Sequence, residues 1–178
     1  MDGTILSVDP SSTRTGWALL SQGERLLQGG ILTPDKVRSD PQFRIAAMCR
    51  DLRQLLDEIE PETILIEITS GKVAGHKRNA MKGAGLGVYG MAVGAIWQAA
   101  EAWLRSRPPE QKNETEIVLI KENDWTRGIP KSDRIAGVAS RFPEYSSEQD
   151  PGGDLADAIG LAIWYLTEHR ARLVRQVL

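Results

Sequence analysis

The sequence is short of several things that would define a protein class at once. It has one cysteine, Cys49, in 178 residues. Disulfide scaffolding and thiolate zinc sites are thereby excluded, and a reducing cytoplasm is the expected setting. Neither charge is in real surplus: 22 Lys and Arg stand against 24 Asp and Glu, a net charge of -2. No global basic field therefore announces a nucleic-acid partner. There is no internal repeat and no low-complexity tract. The N-terminus lacks a basic region followed by an apolar segment, so no secretory signal is expected. One uncharged run, GAGLGVYGMAVGAIWQAA at 83–100, is long enough to span a bilayer. Its Gly and Ala content and Gln98 make insertion weakly driven, so a buried helix is expected and no membrane partner.

What is present reads as one globular domain over residues 1–178, with 41% hydrophobic and 26% charged residues. The charge is segregated. KVAGHKRNAMK at 72–82 carries Lys72, Lys77, Arg78 and Lys82 with no acid, and the tail HRARLVRQ is also basic. Acids gather in DEIEPE and across 144–157.

TILSVDP reads as a strand ending on Asp9, with TGWALLSQ and ERLLQGGIL as two more strands in an antiparallel meander. Ile45, Met48, Leu52, Leu55 and Ile59 recur at helical spacing from Pro41, and Pro61 ends that pattern. TILIEIT is a β-branched, buried strand holding Glu67 near its end. A long helix is expected to about Arg105, with Leu86, Val93 and Trp97 on one face and Gly87, Gly90 and Gly94 on another. Each interior glycine costs about 1 kcal/mol, so close approach of another backbone is the expected reason for them. RSRPPEQKNE reads as a linker, TEIVLIK as a strand, KSDRIAGVASRF as a short helix, and a final helix starts near Asp154. The fold class is α/β: a mixed five-stranded sheet, antiparallel over its first three strands and then parallel, with helices on both faces.

In such a sheet ligands bind beyond the carboxyl ends of the strands. Asp9 and Glu67 both sit at strand ends. Asp154 and Asp157, three apart, share one face of the last helix. Each acid alone has a plain alternative: Asp9 as a turn aspartate, Glu67 on a solvent-facing edge, Asp154 and Asp157 as helix-start acids. Together they are four hard oxygen donors that would repel one another unless divalent cations joined them, which suits Mg²⁺ or Mn²⁺ rather than zinc. Two such ions can clamp the attacking and leaving oxygens of a phosphodiester hydrolysis.

These segments, in this order, resemble the RuvC-type Holliday junction resolvases. ILSVDPSSTRTGWALL is similar to the family's opening strand, TILIEI to its second catalytic strand, and GLGVYGMAVGAIWQAA to its Gly-rich central helix. IPKSDRIAGVASRF resembles its lysine-containing helix, and DLADAIGLAIWYL its closing Asp-x-x-Asp-Ala helix. The resemblance implies an RNase H-like fold and a homodimer that nicks four-way DNA junctions in pairs with two Mg²⁺ per site, Mn²⁺ substituting. It also leaves room for a branch-migration helicase as partner.

The family's four metal-binding acids carry over to Asp9, Glu67, Asp154 and Asp157, and its catalytic or DNA-contacting lysine to Lys131. Two features depart from the pattern. Ser11 stands where the family has glycine after Asp-Pro, and no aromatic follows Glu67. Trp125 is the expected substitute stacking surface for DNA, against the plainer reading of a tryptophan covering apolar surface. Lys72, Lys77, Arg78 and Lys82, with Lys131 and Arg134, are the expected phosphate contacts. The alternatives are another RNase H-like nuclease acting on RNA or branched DNA, and a catalytically inactive junction-binding module. An actin-like ATPase would need two such domains, for which the chain is too short.

Overall fold

The computed structural model describes residues 3–34, 40–69, 84–112 and 115–177. Lys72, Lys77, Arg78 and Lys82 lie outside the described residues, as do the side chains of the tail arginines Arg170, Arg172 and Arg175. The strands are β1 (Thr4–Asp9), β2 (Thr15–Ser21), β3 (Leu26–Leu32), β4 (Thr63–Ile68) and β5 (Glu116–Lys121). The helices are α1 (Pro41–Ile59), α2 (Ala84–Ser106), α3 (Pro109–Lys112), α4 (Glu122–Thr126), α5 (Lys131–Arg141) and α6 (Asp154–Val177). Two of them were not expected: α3 inside the linker and α4 directly after β5. Both are too short for a periodic signal.

The strands form one sheet in the order β3-β2-β1-β4-β5. β3, β2 and β1 pair antiparallel, while β1–β4 and β4–β5 pair parallel. This is the expected architecture, with β1 and β4 as adjacent central strands.

Strand alternation assigns the side chains to two layers. Leu6, Val8, Ile64 and Ile66 point to one face, where Leu52 and Leu56 of α1 and Ile96, Ala100 and Trp103 of α2 cover them. Ile5, Leu65 and Ile120 point to the other, under Ala158, Ile159, Leu161 and Ala162 of α6. Burial on both sides explains why β1 and β4 read as continuous apolar runs. It also sets the cost of disturbing them: truncating a fully buried leucine such as Leu6 to alanine loses about 2–5 kcal/mol. α1 keeps its expected stripe, with Ile45, Met48 and Leu52 buried, and closes on Glu60 in the left-handed region just before Pro61.

Among the described residues no neighbouring backbone comes close to the glycines of α2: a Cβ added at Gly87, Gly90 or Gly94 would meet nothing there within 4 Å. Leu86 and Trp97, with Met91, lie exposed on this same side of the helix. The core-facing residues are instead Ala92, Ile96, Ala99, Ala100 and Trp103. Among the described residues no helix is long and apolar enough to cross a membrane.

Candidate active site

β1 and β4 run in register through Val8↔Ile66. The next residue on each strand is Asp9 and Glu67, so two carboxylates stand side by side at one rim of the sheet. Odd-numbered residues of both strands face α6, because Ile5 and Leu65 do. The acids therefore point toward the helix that carries Asp154 and Asp157.

Three local devices seat the start of α6 over that rim. Ser7, buried two residues before Asp9, places its Oγ 2.6 Å from the Ala158 carbonyl oxygen. Gly16, the β2 partner of Asp9, lies directly beneath α6: a Cβ there would collide with the Asp154 carbonyl group. Asp150, 2% exposed, accepts hydrogen bonds from the Asp154 N–H at 2.9 Å, the Ala156 N–H at 3.0 Å and the Tyr145 hydroxyl at 3.1 Å. It supplies the acceptors that the first turn of a helix lacks. Asp154, whose own side chain was open to a capping reading, is thereby relieved of that task.

The electrostatics show the acids crowding one another. Asp9 is held well above the ordinary carboxylate range by burial first, then by the charges of Glu67, Asp157 and Asp154, with Lys131 opposing. Glu67, 7% exposed, is pushed up to about 7. Burial is again the main cause, and Glu122 and Asp157 add to it. The Trp125 hydrogen bond and Arg134 oppose the shift.

Cations and donors of the chain itself already engage these carboxylates. Lys131 Nζ is 2.9 Å from Asp157 Oδ2 and 3.7 Å from Asp154 Oδ1. Burial works to lower its pKa, but Asp157, Asp154 and Asp9 together raise it, so the ammonium is secure. Arg14 Nε donates to Asp154 Oδ2 at 3.0 Å, and Arg134 Nε donates to Asp157 Oδ1 at 2.9 Å.

Among the described residues no group of three or more His, Cys, Asp or Glu side chains stands ready-made to hold a metal ion. The donor chemistry still fits a hard divalent cation. It consists of carboxylate oxygens from β1, β4 and α6, two of them held above their usual range in part by mutual repulsion.

Trp125, expected as a stacking surface for DNA, lies in the interior. It is 6% exposed, and its Nε1–H donates to Glu67 Oε2 at 2.8 Å. The plainer reading of an interior tryptophan prevails, with a polar contact that the sequence did not disclose. Arg134, expected on phosphate, is likewise turned inward to Asp157. Lys131, carried over as the catalytic or DNA-contacting lysine, lies beside Asp157 and Asp154.

Sequence reasoning missed four residues. Arg14 and Asp150 gave no signal short of tertiary contact. Glu122 had one: it follows β5 directly, as the first residue of α4, and its charge reaches Glu67. Tyr89 of α2 lies in the same field, its phenol pushed up by burial first and then by Glu67, Asp9 and Glu122.

No protein-family model matches the chain. It is 26% identical over 163 residues to the crossover junction endodeoxyribonuclease RuvC of Chlorobium chlorochromatii (strain CaD3), covering 89% of this chain and 77% of that protein. It is 24% identical over 162 residues to the protein of the same name from Chlorobium phaeobacteroides (strain DSM 266 / SMG 266 / 2430), covering 89% and 79%. The fold is similar to that of T. thermophilus RuvC in complex with Holliday junction substrate, with TM-score 0.67, 16% identity, and 95% and 96% of the two chains covered. It is also similar to Fowlpox virus resolvase in complex with substrate Holliday junction DNA, with TM-score 0.52, 12% identity, and 93% and 97% covered. The RNase H-like fold implied by the sequence resemblance is the fold observed.

Proposed function

We propose that this chain is a structure-selective endonuclease that resolves four-way DNA junctions by phosphodiester hydrolysis. The observation that carries the reading is the pairing of Asp9 and Glu67 at adjacent parallel strand ends, facing the α6 turn of Asp154 and Asp157. The names of the two curated relatives and the junction complexes of the fold neighbours support it.

In this reading Asp9, Glu67, Asp154 and Asp157 hold two Mg²⁺ ions, for which Mn²⁺ can substitute. Bound ions of this kind supply an acidified water and neutralise charge on the departing oxygen. The chain's own part is to assemble the carboxylates before substrate arrives and to keep positive charge at the rim. Lys131, its side chain 42% exposed, and Arg14, 35% exposed, are the cations able to turn from Asp154 to a DNA phosphate. Phosphate contacts read the shape of the junction rather than its sequence.

A four-way junction has two-fold symmetry, which a two-fold dimer matches with one site for each of two strands. The exposed α2 face of Leu86, Gly87, Gly90, Met91, Gly94 and Trp97 is the proposed seam, since its glycines leave room for a second helix. A branch-migration helicase as partner belongs to the same reading.

The test is cleavage of mobile and immobile four-way junctions beside linear duplex and RNA–DNA hybrid, with and without Mg²⁺. Symmetric paired nicks on junctions alone are expected. Cleavage of the hybrid instead would assign the chain to RNA, and binding without cleavage would make it a junction-binding module.

A further inference from the structure

Trp125 and Arg134 make contacts that neither apolar packing nor DNA binding explains. Trp125 comes from α4, the short helix after β5. Its ring packs on α6 at Gly160, where an added Cβ would lie 3.0 Å from the indole. Its one polar atom is spent on Glu67 Oε2, at 2.8 Å. Arg134 comes from α5. Its guanidinium carbon sits over the Trp125 ring, 5.1 Å from the centroid. Arg134 Nε donates to Asp157 Oδ1 at 2.9 Å, and Nη1 donates to the Ile129 carbonyl oxygen at 2.8 Å. One stacked pair thus grips a carboxylate from the strand side of the site and another from the helix side.

We propose that the stacked Trp125–Arg134 pair is a positioning device that fixes Glu67 and Asp157 in the orientation a divalent cation requires. The inference rests on the metal-site reading above and adds residues to it.

The chemistry suits the task. An indole N–H is a neutral, single donor. It commits Oε2 of Glu67 to the protein without cancelling the carboxylate's charge, which leaves Oε1 for the cation. Arg134 holds Oδ1 of Asp157 with a planar group immobilised by the ring beneath it. Lys131, on Oδ2, has a flexible stem and no such stack, so it is the partner that gives way. Groups that orient metal-binding side chains in this way typically account for about ten- to hundred-fold in metal affinity.

The experiment measures Mn²⁺ binding to the full chain without DNA, by electron paramagnetic resonance, for wild type, Trp125→Phe, Arg134→Lys and Arg134→Gln. Trp125→Phe keeps a ring against Gly160, and Arg134→Lys keeps the charge. Wild type is expected to bind. Trp125→Phe and both Arg134 variants are expected to bind roughly ten- to hundred-fold more weakly, while each retains a cooperative melt. Full affinity in Trp125→Phe, or full rescue by Arg134→Lys, would overturn the inference, because packing or charge alone would then suffice.

A second readout needs no variant of the pair in its sample. The Trp125 indole N–H resonance, identified by its loss in Trp125→Phe, is expected to move on Mg²⁺ addition and in Glu67→Gln. A resonance indifferent to both would also sink the inference. Absence of Mn²⁺ binding by wild type is a different result, and it removes the metal-site reading itself.

Discussion

Asp9 and Glu67 occupy consecutive places at the end of one parallel strand pair, immediately beyond Val8↔Ile66. Neither could move to the opposite face without moving Ser7 or Leu65 out of the layer under α6, since a one-residue slip inverts a strand. The carboxylates are therefore held together by the same alternation that builds the core.

Asp9→Asn should abolish junction cleavage while leaving junction binding intact, as read by a cleavage assay beside a gel shift. The substitution keeps the shape and removes a charge that the site is proposed to need only for metal. The metal-free variant should melt at the same temperature or higher, because Glu67, Asp157 and Asp154 all disfavour charge at Asp9. A large drop in melting temperature would mean that Asp9 is a structural hydrogen-bonding group.

Metal-free stability should fall as pH rises from about 4.5 to about 7. Glu67 has its pKa raised from the ordinary 4.5 to about 7, so the folded state binds its proton more tightly than the unfolded chain does. The stability this contributes is complete below the unfolded value and is lost as pH climbs through the folded one. For Glu67 alone it amounts to roughly 3 kcal/mol. Urea melts from pH 4 to 8 should show this slope in wild type and a flatter one in Glu67→Gln.

Gly16→Ala should damage cleavage beyond its effect on stability. Its methyl group would run into the Asp154 backbone, and overpacking of this kind costs about 1–3 kcal/mol. Relief comes by lifting the start of α6, which carries Asp154 and Asp157 away from Asp9. A comparison of melting temperature with cleavage rate at a temperature where the variant is folded checks this. Full activity there would mean that α6 keeps its seat.

Asp150→Ala should lower stability by about 2 kcal/mol or more, since two backbone N–H groups and the Tyr145 hydroxyl lose their acceptor. That corresponds to a fall in melting temperature of roughly 4–8 °C for a chain of this size. Asp150→Asn keeps one oxygen acceptor and should lose less.

Gly94→Glu should give a monomer with an undiminished melt, as read by light scattering and thermal denaturation. The position is open, and replacing a mid-helix glycine gains up to about 1 kcal/mol of helix propensity. A dimer that survives this charge on α2 would move the seam elsewhere.

The strands, the long helices, the antiparallel-then-parallel sheet and an acid at or near the end of β1 and of β4 were legible in the amino-acid order. Those features follow from local rules: alternation in β1 and β4, three- and four-residue spacing in α1 and α6, and an acid closing an apolar strand. Tertiary structure alone decided how the acids are held. That Gly16 lies under Asp154, that Asp150 caps α6, and that Arg14 reaches Asp154 all depend on contacts between residues about 140 positions apart or between a side chain and the turn it closes. Trp125 shows the difference most clearly. Its position after β5 could be read from the chain, but its choice of Glu67 over solvent was set only when α4, α5 and α6 closed around the indole and left one carboxylate oxygen within reach of its N–H.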